Sequence, residues 1–383
     1  MPRYLVLTEL FLPTKGGTAV WFAEVYRRLS GKETHIVTAD VPSAAEVDAS
    51  HPNSVHRINM LRVAWLWPES LGMYVKLFAK SLWLALTHRF DAIHAGRALP
   101  EGLSAWAVAR LTFHPVVIYA HGEELTTWGR GGKYKAMRFA LRHADWIIAN
   151  SEFTRDELIK MDVNSAHITL IYPGVDVARF RPGLACADLR QSVNVTSNGK
   201  LILSVGRLSR RKGFDQVIQA LPALIYAGLD VQYALIGIGE DQDYLLNLAH
   251  VHGVADRLHL LGHVSAEDLP RWYNACDVFA MPNREINGDT EGFGMVFIEA
   301  AACGKPAIAG LAGGTGAAVL DGVTGLRVDG GLISEVTVAL SQLLQNAMLC
   351  ERMGQDGYQR VLREFAWETV AAKTMAVGRR EVK

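Results

Sequence analysis

The chain has 383 residues, half of them hydrophobic and 20% charged, a size and composition that predict two packed domains and exclude an intrinsically disordered chain. Lys+Arg and Asp+Glu each total 39, so the formal net charge is zero and no nucleic-acid partner is expected. Four cysteines, Cys186, Cys276, Cys303 and Cys350, lack CxxC spacing and read as buried thiols in a reducing compartment, with no zinc site and no disulfide framework.

MPRYLVLTEL leads directly into a strand pattern, without the apolar region and cleavage site of a signal peptide. No window reaches the roughly 18 uninterrupted apolar residues that a spanning helix needs. The nearest, residues 75–86, is broken by Lys76 and Lys80. The expectation is a cytoplasmic protein, peripheral at the inner membrane face if it meets a membrane at all.

Residues 4–8 form a short apolar run suited to a buried parallel strand. Further strands are predicted over 34–39, 91–95, 116–120, 146–150 and 168–171, with helices over 19–29, 71–88 and 102–111 between them. Strands separated by helices imply a parallel sheet with helices on both faces. Residues 181–199 are polar and punctuated by Pro and Gly, which reads as the end of an interdomain linker over 175–199. From Lys200 the pattern repeats: strands LILSVG, YALIG, RLHLLG, DVFAM and PAIAG alternate with helices over 214–227, 241–251, 266–275 and a helix carrying Glu299. Helices over 333–346 and 349–365 follow. The predicted architecture is therefore α/β, with two Rossmann-like, doubly wound domains (1–174 and 200–365) facing across a cleft. A final helix in 366–383 would cross back to the first domain.

Ligands of such sheets sit at the carboxyl ends of the strands. In the first domain, Lys15-Gly16-Gly17-Thr18 is a glycine turn between strand and helix, where phosphate can approach the backbone. It matches neither GxGxxG nor a P-loop, and taken alone it reads first as a plain tight turn. His121 directly follows the strand VVIYA, placed either to meet a ligand or to cap the strand. Lys135, Arg138 and Arg142 share one side of a helix within residues 130–142. That side is a solvated face or, with Lys76, Lys80 and Trp83, a surface for anionic lipid headgroups.

In the second domain, Arg207 ends the first strand and Lys212-Gly213 opens the next helix. Two cations beside a helix N-terminus, without a carboxylate in the local sequence, suggest a diphosphate site. The alternative is an exposed basic turn that includes Arg210 and Arg211. Farther on, NREINGDTEGFGMVFIEAAACGKPAIAG places Glu291 ahead of small residues and Glu299 on an apolar helix. Unpaired amides at the helix start can hold an anion, and the isolated carboxylate calls for a hydroxyl-rich partner.

SVGRLSRRKGFD, GHV and EGFGMVFIEAAACGKPAIAG, in that order, resemble the retaining glycosyltransferases of family 4, which have the glycosyltransferase-B fold. The Glu291–Glu299 spacing matches that family's E-x7-E element, and YPGVD before the linker fits as well. The resemblance implies that Arg207 and Lys212 bind the donor diphosphate, a task that other transferases give to Mg²⁺, so that no metal and no separate cofactor are expected. It implies that Glu299 holds the ribose, that Glu291 and the amides of Gly292, Phe293, Gly294 and Met295 hold the sugar and phosphate, and that Val264 meets the base. His121 would lie over the transferred sugar, and Gly16-Gly17 would admit the diphosphate. The polar insert before Glu291 resembles the branch that uses GDP-mannose for lipid-linked acceptors. The aromatic and basic residues in 10–15, 65–74 and 123–142 suit a glycolipid or polyprenyl-linked saccharide. A UDP-sugar donor with a soluble acceptor is the alternative. A nicotinamide oxidoreductase would need GxGxxG after the first strand, where KGGT stands. A non-catalytic relative would lack some of Arg207, Lys212, Glu291 and Glu299. A hydrolase would use Glu291 and Glu299 as acid and base.

Overall fold

The computed structural model describes residues 2–60, 69–127 and 131–378. The chain forms two compact units, one built from the residues up to Pro173 together with those from Trp367 on, the other from Gly174–Ala366.

The first unit holds a seven-stranded sheet: β1 (Tyr4–Leu7), β2 (His35–Ala39), β3 (Ser54–Ile58), β4 (Ala92–Ala95), β5 (Val116–Ala120), β6 (Trp146–Ala149) and β7 (Ile168–Leu170). The order is β3-β2-β1-β4-β5-β6-β7, and every pairing is parallel. Strands β1, β4 and β5 are buried on both faces, which is why they read as continuous apolar runs without alternation. Leu5, Leu7, Ile93, Ile118 and Ile147 pack with Leu77, Leu84, Val108 and Met137 from the covering helices. Each such side chain contributes about 2 kcal/mol of apolar burial, which outweighs the helices' intrinsic propensities.

The second unit repeats this plan with six parallel strands: β8 (Lys200–Val205), β9 (Val231–Ile236), β10 (Leu258–Gly262), β11 (Val278–Met281), β12 (Ala307–Gly310) and β13 (Gly325–Val328), ordered β10-β9-β8-β11-β12-β13. Both sheets thus reverse direction of strand order once, between β1 and β4 and between β8 and β11.

Several elements were not legible in the sequence pattern, the short helices Ala44–Ser50 and Glu123–Thr127 among them. The edge strands β3 and β13 carry polar residues, and the helix Glu152–Lys160 is short, although Ser151 caps it by accepting from the Thr154 amide at 3.2 Å. Another, the helix Ala187–Ser192, falls in the segment expected to be a linker. That expectation is corrected: residues 175–199 belong to the second unit. Arg190 pairs with Asp277 at 3.0 Å, Arg271 with Asp188 at 2.6 Å, and the Val175 amide donates to Phe365 O at 2.8 Å. The Pro and Gly punctuation marks turns that lie on the surface of a packed unit. The helix Trp367–Ala376 packs on the helix Gly17–Tyr26 of the first unit, and Glu368 pairs with Arg28 at 3.0 Å.

All four cysteines are free thiols, with Cys276 and Cys303 buried and Cys186 and Cys350 partly exposed. Among the described residues no helix is long and apolar enough to cross a membrane.

Three histidines meet at one edge of the first sheet. His56 Nε2 lies 3.1 Å from His35 Nδ1, and the His88 ring centroid is 4.4 Å from that of His35. Burial, followed by the nearby Lys80 and the other two rings, pushes His56 from 6.5 down to about 4. The unfolded chain takes up this proton near 6.5 and the folded chain only near 4, so stability is lost as the pH falls through that window. His56→Gln is expected to flatten this acid slope by on the order of 1 kcal/mol, the partial exposure of the ring being allowed for. Urea midpoints at about pH 7 and about pH 5 check it; an unchanged slope would clear the histidine edge of any part in acid sensitivity.

Candidate functional site

The strand order decides which loops become neighbours. In the second unit β8 pairs with β11 in parallel register, Ile202 opposite Val278 and Leu203 opposite Phe279. The loops leaving their carboxyl ends, residues 206–213 and 282–294, therefore lie side by side where the strand order reverses, the usual ligand position in such sheets. Gly213 has φ 77, and a Cβ there would collide with the Pro282 carbonyl. Only glycine permits this approach.

Lys212 Nζ forms a short ion pair with Glu291, and Arg211 Nη1 lies 3.0 Å from the same carboxylate oxygen. Arg211 Nε also reaches Asp289 at 3.1 Å. The side chains of Lys212 and Glu291 are only 12% and 15% exposed, so the charges interact with little screening. Burial alone would raise the Glu291 pKa, but Lys212 and Arg211 outweigh it and hold the carboxyl below its ordinary range. The sequence paired Lys212 with Arg207. In the structure Arg207 instead meets Glu240 at 3.0 Å with both side chains more than half exposed, and Lys212 converges with Arg211.

The supposed polar insert before Glu291 is a tight hairpin. Asn287 and Gly288 take φ 53 and 82, and Ile286 and Asp289 exchange backbone hydrogen bonds of 3.0 and 2.9 Å. Asn-Gly is the strongest short-range signal for this turn and was available in the sequence. The hairpin delivers Asp289 to Arg211.

Glu291 is followed by Gly292, buried Phe293 and Gly294, which is the N-cap of the helix Met295–Ala302 with φ 87. The opening amides of such a helix lack intrahelical acceptors, so positive potential collects beside Lys212. Glu299 lies in the body of this helix and accepts a 2.7 Å hydrogen bond from the Tyr273 hydroxyl. Burial, opposed by that hydrogen bond and by Arg179, pushes Glu299 from 4.5 up to about 7. Val264 follows β10, two strands away, and is half-buried.

In the first unit His121 and Gly16 also lie at the carboxyl edge. His121 Nε2 is 2.8 Å from the Gly96 carbonyl, so this nitrogen carries the proton and donates. Burial lowers the His121 pKa against the opposing Glu124, which leaves the ring neutral with Nδ1 as an acceptor. Trp21 meets the ring edge-on at 5.6 Å. Gly16 is the exposed N-cap of the helix Gly17–Tyr26 with φ 131.

The helix Leu71–Thr87 exposes Leu71, Val75, Trp83 and Leu86, with Lys80 stacked over Trp83 at 4.5 Å. Lys76 donates to Asn59 O at 3.3 Å. On the helix Gly132–Arg142, Lys135 and Arg142 are exposed, whereas Arg138 is held by Asp162 and by the Met161 carbonyl. Arg138 is thus part of the fold's own packing. Of the segments read as aromatic and basic, residues 65–68 and 128–130 lie outside the described residues.

Two family models match this chain, "Glycosyltransferase Family 4" over residues 15–179 and "Glycosyl transferases group 1" over residues 187–360. It is 32% identical, over 97% of each chain, to a GDP-mannose-dependent alpha-(1-6)-phosphatidylinositol monomannoside mannosyltransferase of Mycobacterium tuberculosis. The Mycolicibacterium smegmatis protein of the same name is 30% identical over 99% of each chain. A D-inositol 3-phosphate glycosyltransferase of Salinispora arenicola is 29% identical over 94% of this chain and 86% of that one. Among solved structures, Anabaena HepE in complex with UDP matches with a TM-score of 0.83 at 22% identity, over 97% of this chain and 98% of that one, a likeness of fold. Motif order, strand topology and these relatives agree: the chain belongs to glycosyltransferase family 4 and is a glycosyltransferase of the GT-B fold.

Proposed function

We propose that this protein transfers mannose from GDP-mannose, with retention of anomeric configuration and without a metal, to a hydroxyl of a glycolipid of the phosphatidylinositol mannoside type. One observation carries the donor-site reading: Arg211 and Lys212 converge on Glu291 at the start of the helix that bears Glu299. Two cations there already hold a carboxylate, and a diphosphate offers them more acceptor oxygens in the same place. The mannose and glycolipid assignments rest on the mycobacterial relatives, whose names carry both. A UDP-sugar donor is the second reading, favoured by the HepE complex with UDP-glucose.

In this reading Lys212 and Arg211 exchange Glu291 for donor phosphate, and Arg207 leaves Glu240 to join them. Glu299 accepts hydrogen bonds from the ribose, Val264 borders the base, and Glu291 with the amides of residues 292–295 holds the sugar. On the first unit His121 contacts the transferred sugar and Gly16-Gly17 allows backbone to approach the diphosphate. The bond from the anomeric carbon to the phosphate oxygen breaks as the bond to the acceptor oxygen forms on the same face. The acceptor's proton passes to the departing phosphate oxygen. Charge grows on that phosphate as the bond breaks, and preorganised cations lower the barrier by meeting it. The exposed Val75, Trp83 and Leu86, with Lys76, Lys80, Lys135 and Arg142, would rest on an anionic membrane surface that presents the acceptor.

Lys212→Ala should reduce turnover on the order of 100-fold or more while acceptor binding persists. Steady-state kinetics with GDP-mannose check this, and turnover close to wild type would remove Lys212 from the chemistry. GDP should raise the melting temperature more than UDP or ADP, since a ligand that binds only the folded state stabilises it. A larger shift with UDP would instead select the second reading. Ribose hydroxyls donate to ionised Glu299, which titrates near about 7. GDP affinity should therefore fall roughly tenfold between about pH 8 and about pH 6, and Glu299→Gln should bind weakly with no such slope. Calorimetric titration at the two pH values decides; an equal slope in the variant counts against the assignment.

A further inference from the structure

The loops after β8 and β11 are joined by a second ion pair outside the Arg211–Lys212–Glu291 cluster. Arg284, three residues beyond β11, presents Nη1 and Nη2 to the two oxygens of Asp215 at 3.0 and 2.8 Å. Asp215 stands in the first turn of the helix Phe214–Tyr226, three residues after Lys212. The side chains are 5% exposed for Asp215 and 18% for Arg284, so this fork-to-fork pair is nearly dry. The backbone amide of Arg284 also donates to the Arg211 carbonyl at 2.8 Å. Its guanidinium reaches the Gly330 carbonyl at 3.4 Å.

A bidentate pair fixes orientation as well as distance. Together with the close approach of Gly213 to Pro282 and the hydrogen bond from the Arg284 amide to the Arg211 carbonyl, it ties the two loops together at the Arg211-Lys212 dipeptide and directly after it. One loop carries the cations and the other carries Asp289 and Glu291. Their register therefore depends on Asp215 and Arg284.

We propose that Asp215 and Arg284 are positioning residues of the donor site: their buried pair holds Arg211 and Lys212 in register with Glu291, so that donor phosphate replaces the carboxylate without rearrangement of either loop. This rests on the donor-site reading above. Breaking the pair lets the β11 loop drift, and misplacement by about an ångström is enough to cost on the order of 100-fold in rate.

The test compares wild type, Asp215→Asn, Arg284→Met, Arg284→Lys and Lys212→Ala by calorimetric titration with GDP and with UDP, each at a temperature below the variant's own melting midpoint. The proposal expects Asp215→Asn and Arg284→Met to weaken binding of the nucleotide that wild type prefers by roughly tenfold. Arg284→Lys, which keeps the charge but loses the fork, should fall between them and wild type. If Arg284→Met does not fold, Asp215→Asn and Arg284→Lys decide. A folded Asp215→Asn that melts lower yet binds nucleotide as wild type does shows a purely structural pair and overturns the proposal. If Lys212→Ala binds as wild type, or wild type binds neither nucleotide, the donor-site reading itself falls, and the clamp with it.

Discussion

The second unit's site depends on one electrostatic balance. Glu291 is taken largely out of water, which by itself favours its neutral acid, and two cations in direct contact overturn that preference. A desolvated carboxylate keeps its charge only while both partners remain close, so Lys212, Arg211 and Glu291 hold one another in a narrow range of geometries. The same low-dielectric setting that makes the pairing strong makes the cations costly to leave unmatched. In the proposed reading an incoming diphosphate would meet donors that are already converged and largely dehydrated, which would leave little reorganisation for the moment of transfer.

Glu299 shows the opposite outcome of the same burial. It has one neutral hydrogen-bond donor, Tyr273, and no cation in hydrogen-bonding contact among the described residues, so burial prevails and its pKa rises to about 7. Eight positions apart, one glutamate is held ionised for cations and the other is poised between forms, suited to a partner with hydroxyls to donate. His121 in the first unit is also buried to neutrality, with its proton committed to the Gly96 carbonyl. A neutral imidazole suits a polyol, whereas an imidazolium would attract the phosphates.

These placements follow from topology. A parallel sheet sends every strand end to one edge, and a single reversal of order lays two loops side by side with no helix between them. In the second unit those loops carry the cations and the carboxylates. Glycine at 213 allows them to touch, and the pair Asp215–Arg284 ties them. The basic helix of the first unit is a reminder that a charge pattern is not yet a surface, because Arg138 serves its own fold while Lys135 and Arg142 face solvent.

The doubly wound fold, most central strands, the glycine turn and the helix that bears Glu299 were legible in the sequence because buried parallel strands are apolar without interruption and because glycines and caps act locally. The edge strands β3 and β13 were not, since partial exposure all along β3 and in the middle of β13 removes the apolar pattern. The hairpin before Glu291 is encoded locally, by Asn287-Gly288 between the bridged Ile286 and Asp289. Residues 175–199 looked like a linker because punctuation records turns but not the ion pairs of Arg190 and Asp188, whose partners lie more than eighty positions away. By itself, then, the sequence determined the fold class, the family and the kinds of residue at the site. Only the tertiary structure decided that Lys212 is partnered by Arg211 rather than Arg207, and that Glu291 rather than Glu299 receives both charges. Those choices depend on distances between segments about eighty residues apart, which side-chain packing sets and local spacing does not encode.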